Sequence, residues 1–431
     1  MVNTNQAIYL LDRLGFGPRP GDLNQLQSQG WEEYLRQQLQ GNLAEPNDLK
    51  LRLNALENMQ LNPVELYRRY HVNPRKMSAE EVRQRRQGLR KARREAIHAR
   101  LLYAVESPNQ LREVMVDFWF NHFNVANSKG MTGFWVGAYE RDVIRPHALG
   151  QFRALLGATA KHPAMLFYLD NWRNRAPDGS MSNGRPTGLN ENYARELLEL
   201  HTMGVDGGYT EDDIKEVARV FTGWTIRPPA DFVFNPATHD WDPKTVLGER
   251  IPGYGLGEGD RVLMMLAEHE STARHVSTKL ARRFFSDNPG DAVIDAVTDT
   301  FDASGGDVRE MLRTLLLHPE VAATPAIKFK RPMEFLAGIA RVLETELSEG
   351  ALGMMFSALD TSGHVPFSWP APDGYPDQRS YWQSTNGLLM RFNSAGAWTG
   401  QLSGQSALLQ QARAISDPIE QVDFLAATLR P

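Results

Sequence analysis

The chain has 431 residues, a net charge of −5, 42% hydrophobic and 23% charged residues, and no cysteine. This is the balance of a soluble globular protein with ample core, and it excludes disulfides, a thiolate nucleophile and cysteine metal sites. The charge gives no global nucleic-acid signature, and no run approaches the roughly 18 apolar residues of a membrane span.

The first residues, Met1 to Gln6, lack the basic patch and long apolar run of a signal peptide. A cytoplasmic location is therefore expected unless a leader has been removed. Residues 4–40 read as two helices broken by Gly15–Gly21, with Asp22 as a cap. The arginine-rich stretch from Arg68 to Arg100 reads as a long solvated helix, with Val82, Leu89, Ala96 and Ile97 turned inward. No aromatic residue is interleaved between Arg83 and Arg100 for base stacking, so nucleic acid is not expected as a partner. Glu95 and His98 have the Glu-x-x-His spacing of di-iron bundles but no second copy, and read as a surface pair.

Pro108 opens a helix on which Leu111, Met115, Phe118 and His122 share one side, with Glu113, Asp117 and Asn121 in a separate polar row. His122 is thus predicted to point inward. His162, His269 and His318 sit at the ends of later helices, where a histidine suits the negative helix terminus. The polar loop from Asn174 to Gly188 reads either as a lid over the helix that follows it or as a disordered stretch.

The stretch Asn190–Gly204 reads as a helix capped by Asn190 and stopped by Gly204. At about 100° per residue, Tyr193, Ala194, Leu197, Leu198, Leu200 and His201 fall on one side. Glu191, Asn192, Arg195, Glu196 and Glu199 crowd the other. This polar side is either a solvated ion-pair ladder or the wall of an interior site.

From Trp224 to Gly259 the chain is rich in proline and glycine, with a short hairpin expected around 230–250 from the alternating Phe232 and Phe234. His239, Asp240, Trp241, Asp242 and Lys244 form a polar cluster in a loop there. Helices resume over 260–345 and close the chain near 381–393 and 404–428, separated by the rigid loop Trp369–Pro376. Lys279 lies on one of these helices, as many lysines do. The fold class is mostly α: a multi-helix globular array with long irregular loops. Residues 1–431 read as a single large helical domain, with an N-terminal helical subdomain 1–105 packed on a core 106–431.

Taken in order, several motifs resemble the bacterial "domain of unknown function 1800" family. They include Leu14–Pro18, Phe118–Phe123, His162–Met165, Tyr168–Asn171, Asn190–Gly204, Thr222–Trp224, His239–Asp240, Lys328–Pro332 and Pro372–Gly374. Where family members typically carry His-Pro-Ala, this chain has His269-Glu270-Ser271, which weakens any role for His269. Many relatives look secreted. The resemblance implies association with a sulfatase- or phosphatase-like protein and no particular chemistry. The family motif spans the polar side of the central helix, which favours an interior site there.

Two readings follow. One is an enzyme of metal-dependent hydrolase type, with Glu191, Arg195, Glu196, Glu199 and Asp240 as catalytic candidates. In that reading His122, Glu199, His201 and His239 are metal ligands, and oxygen and imidazole donors suit Zn, Mn or Fe. The other is a non-catalytic partner of the sulfatase- or phosphatase-like companion, its charged groups serving structure alone.

Overall fold

The computed structural model describes residues 10–70, 78–177, 181–182, 185–186, 188–323, 328–402 and 407–429. The fold is mostly α, as the sequence pattern predicts. The long helix α1 (Ala79–Glu106) starts at a capping box between Ser78 and Glu81 and changes character along its length. Its first turns are solvated, whereas nearly every residue from Glu95 to Val105 is buried. The apolar content of α2 (Gln110–His122) leaves only Arg112 and Asn121 near water. Trp119 is wholly buried there, its indole N–H donating to Ala148 O at 3.0 Å. Truncating such a side chain to alanine typically costs about 3–5 kcal/mol.

Around this pair pack α3 (Thr132–Tyr139), which runs into a wider π turn over Glu140–Ile144, then α4 (Phe152–Lys161) and α5 (Pro163–Tyr168). The central helix α6 is shorter than its sequence suggests: Asn192–Glu196, continued by a second π turn, Leu197–His201. Asn190 does not cap it. Glu191 holds the cap position, and Asn190 Oδ1 accepts from the Asn192 N–H at 3.0 Å. Gly204 ends the segment at φ 84°, as expected. A Cβ there would lie 2.8 Å from His275 Nδ1, so glycine also permits this histidine's approach.

Beyond α7 (Glu211–Val220) come two antiparallel hairpins. The first pairs β1 (Trp224–Arg227) with β2 (Asp231–Phe234), Trp224 opposite Phe234. The second pairs β3 (Lys244–Val246) with β4 (Glu249–Ile251). A two-residue ladder joins Met181–Ser182 to Arg185–Pro186, and the rest of the loop expected as a lid falls partly outside the described residues. Helices α8 (Leu256–Ala267), α9 (Glu270–Phe284), α10 (Asp291–Ser304), α11 (Val308–Leu317), α12 (Pro332–Val342), α13 (Glu349–Thr361) and α14 (Thr385–Leu402) follow. Buried apolar residues from Leu11 to Phe367 belong to one cluster. No helix is long and apolar enough to cross a membrane among the described residues.

Two local expectations change. His162 and His269 do not complement the end of the helix before them. Each uses Nδ1 as an acceptor for the helix that follows, from Ala164 N and Ser271 N, both at 3.1 Å. Burial pushes His162 down to about 3, so it caps as a neutral lone-pair acceptor. The polar row on α2 is largely buried. Glu113 and Asp117 sit in a buried chain of alternating charge that runs Glu45, Arg112, Glu113, Arg145, Glu140, Arg100, Asp117, Arg331, Glu334, Arg283. Glu95 likewise turns inward, where it accepts from the Asn58 backbone N–H at 2.7 Å.

Candidate functional site

The polar side of the central helix is a partly solvated ladder. Arg195 holds Glu211 at 2.9 and 2.8 Å, Glu199 at 3.2 Å and Glu191 at 3.7 Å. Glu191, Arg195 and Glu199 keep 37%, 34% and 26% of their side chains exposed, so each pair contributes about 0.3–0.5 kcal/mol. Asn192 donates to Leu169 O at 3.2 Å. Glu196 differs from its neighbours. Burial, helped by Glu199 and Asp373, pushes its carboxyl up to about 7. It is therefore half protonated near neutrality.

His201 points the other way, onto Phe123, while Glu199 reaches Arg195; the two do not meet. The His201 ring lies 6.3 Å from that of His122, which lies 6.1 Å from that of His275. The π turn leaves carbonyls without helical partners, and two of these rings satisfy them. His122 Nε2 donates to His201 O at 3.0 Å, and His275 Nε2 to Leu200 O at 3.3 Å. Burial, then Lys279, pushes His201 down to about 3 and His122 well below its ordinary value. His275 falls to about 4 for the same reasons. All three are neutral at pH 7. His122 Nδ1 and His201 Nε2 are buried without a hydrogen-bond partner.

Beside this trio lies a cleft of about 280 Å³ between α2, α9, Arg331 and the loop 373–378. Helix α9 carries His275, Lys279, Arg282 and Arg283 on neighbouring turns. Arg283 meets Glu334 at 2.6 Å, and Arg331 meets Glu334 and Asp117. Arg282 reaches only the Asp287 carbonyl, at 3.2 Å, and no carboxylate among the described residues. No hydrogen bond or ion pair reaches the Lys279 ammonium among them. Burial, seconded by Arg282 and opposed by Asp377 and Asp373, pushes Lys279 down to about 8. Asp373 thus acts on Lys279 and Glu196 alike.

Three asparagines at intervals of three hold the loop that closes the cleft. Asn121 exchanges hydrogen bonds with the Tyr375 backbone, Asn124 donates to Trp369 O at 3.0 Å and Ala371 O at 2.6 Å, and Asn127 Nδ2 donates to Ser368 Oγ at 3.2 Å. Asp373 Oδ1 accepts from the Trp369 indole at 2.7 Å. The motifs Phe118–Phe123 and Pro372–Gly374 are therefore neighbours in space.

His239 and Asp240 belong elsewhere. His239 faces Thr222 O at 2.8 Å through Nδ1 and Glu258 Oε1 at 2.9 Å through Nε2, so both ring nitrogens are engaged within the fold. Lys244 reaches the other Glu258 oxygen at 2.7 Å, all three side chains being fully buried. Asp240 is held by Arg219. Among the described residues no group of three or more histidine, aspartate or glutamate side chains is arranged to hold a metal ion. The expected donor set does not converge, and no chemistry is derived through a metal.

A mostly helical scaffold with a cationic cleft bordered by the neutral His122 is the class of protein that this geometry defines. The chain belongs to the family described as "Protein of unknown function (DUF1800)", whose sequence model matches residues 9–430, nearly the whole length. No curated protein and no solved structure matches it.

Proposed function

We propose that the chain is an enzyme acting on a small anionic substrate in this cleft, with Lys279 as its ionisable centre. Glu196, which shares Asp373 with Lys279 as a charged neighbour, is the second acid–base group. One observation carries the reading: a lysine head held in a cleft with no hydrogen bond or ion pair to a carboxylate among the described residues, Asp373 and Asp377 acting on it only from a distance. A cation drawn out of water without a direct partner is costly, and such groups cluster where a ligand supplies the missing charge or where the proton is used. Groups near 7 and 8 are matched to proton transfer at neutral pH. Arg282 supplies a further positive charge for the substrate. Glu191, Arg195 and Glu199 then border the site and hold the helix that carries Glu196.

The test is thermal unfolding at pH 7 with inorganic phosphate, sulfate or small carboxylates. A ligand at a hundred times its Kd stabilises by about 2.7 kcal/mol. At least one of these anions is expected to raise the Tm of the wild type and leave Lys279→Met unmoved; that ligand class then directs the turnover assay. Equal shifts in both proteins, or none, overturn the reading. They select instead the non-catalytic companion of a sulfatase- or phosphatase-like protein, whose cleft is indifferent to anions.

A further inference from the structure

We propose that Lys279 is a nucleophile that forms a reversible imine with a small carbonyl compound bearing its own anionic group, such as a 2-oxo acid or a phosphorylated aldehyde. This rests on reading the cleft as a substrate site and goes beyond it by naming the bond that forms. Other lysines of the chain show what Lys279 lacks. Lys244 is paired with Glu258 at 2.7 Å, Lys328 with Asp287 at 2.5 Å, Lys330 with Asp12 at 2.7 Å, Lys129 with Asp170 and Lys161 with Asp260 at 2.6 Å each. A carboxylate at that distance keeps the ammonium protonated and its lone pair unavailable. Lys279 has no such partner among the described residues, and Arg282, one turn away, further favours the neutral amine. Desolvation beside a second cation is a recognised way to activate a lysine towards carbonyl carbon.

The surroundings supply the remaining parts. Arg282, hydrogen-bonded to no carboxylate among the described residues, offers the anionic group of the compound a seat next to the amine. His122 borders the same cleft and donates through Nε2 to His201 O, so its Nδ1 is an unprotonated acceptor. In the reaction the Lys279 nitrogen bonds to the carbonyl carbon, and the carbonyl π pair becomes a hydroxyl as one proton moves from nitrogen to oxygen. The carbinolamine then loses that hydroxyl with a second proton as water, leaving C=N. That second proton comes from the same nitrogen, carried to the departing hydroxyl by way of the His122 acceptor, and nothing is oxidised or reduced.

Reductive trapping tests the proposal. The full chain is incubated at pH 7 with glyoxylate or pyridoxal 5′-phosphate and sodium cyanoborohydride, then mapped by peptide mass. One equivalent of reduced adduct is expected on Lys279, formed on the order of a hundred times faster than on an exposed lysine of ordinary pKa. Lys279→Arg, which keeps the charge, should lose that adduct, and excess inorganic phosphate should slow its formation. Adducts spread over surface lysines at equal rates, with Lys279 unmodified in the wild type, would overturn the imine. If anions still raise the Tm in a Lys279-dependent way, the cleft stands as a binding site and the imine alone fails. If neither effect occurs, both readings fall.

Discussion

Asn121 and Tyr375, 254 positions apart, pair as though they were strand residues. The Asn121 side chain accepts from the Tyr375 N–H at 2.7 Å and donates to the Tyr375 carbonyl at 2.8 Å. Between them Gly374 stands at φ 75°, where a Cβ would lie 2.1 Å from Asn121 O. Asn121→Ala leaves both backbone groups without their partner and should cost about 1–3 kcal/mol in urea unfolding. Gly374→Ala adds a clash with backbone to a left-handed conformation and should cost more than Asn121→Ala. An unchanged urea midpoint in either variant would show that the loop does not depend on this clamp.

The buried trio His239, Glu258 and Lys244 allows a double-mutant cycle. Glu258 also accepts from the Gly255 N–H at 2.7 Å, and these donors hold its carboxyl below the usual range against burial. Lys244→Met strands a buried carboxylate and should cost about 3–5 kcal/mol. Lys244→Met with Glu258→Gln should cost less than the sum of the single changes, because no unpaired charge then remains. Additive losses would mean that the ion pair contributes nothing beyond its separate packing.

Much of the fold is written in local patterns, and most of the cleft is not. Helical periodicity places His122 and His201 inward, and Phe232 and Phe234 mark a hairpin strand. The same periodicity cannot tell a solvated acidic row from one that meets Arg100 and Arg331, whose positions depend on the whole fold. That is why the burial of Glu113 and Asp117 is not legible in the sequence. Glu199 and His201 already fall on opposite sides of a regular helix, and the structure keeps them on different neighbours. What no composition rule announces is the π turn whose carbonyls draw in His122 and His275. Lys279 left one signal. Between Glu270 and Asp287 there is no acidic residue, while His275, Arg282 and Arg283 surround the lysine on its own helix.

Acid sensitivity follows from three buried neutral histidines. Burial holds His162, His201 and His364 at about 3, against an ordinary 6.5. The unfolded chain therefore binds more protons between those values, and stability falls as pH drops from about 6.5 towards 3. At pH 5 each costs about 2 kcal/mol, a sum comparable to the total stability of many proteins. The urea midpoint should fall steeply from pH 7 to pH 5. His162→Asn keeps an acceptor for the Ala164 N–H without the titration and should flatten the slope. Equal midpoints at pH 5 and 7 in the wild type would contradict this account.

Lys279 should behave in the opposite sense to a stabilising residue. Its amine is pushed down to about 8 from an ordinary 10.5, so at pH 7 the folded chain holds a charge that burial disfavours and the unfolded chain does not. The cost is present in full below pH 8 and is relieved as pH rises to about 10.5, where both states are neutral. Lys279→Met fills the same space without the charge and should melt higher than the wild type at pH 7 in the absence of anions. That advantage should shrink steadily between pH 8 and 10 as the wild-type amine loses its proton. A variant that melts lower at pH 7, or whose difference from the wild type does not change with pH, would mean that Lys279 has a counter-charge in solution. The residue would then be one more paired surface lysine, and the cleft would lose its ionisable centre.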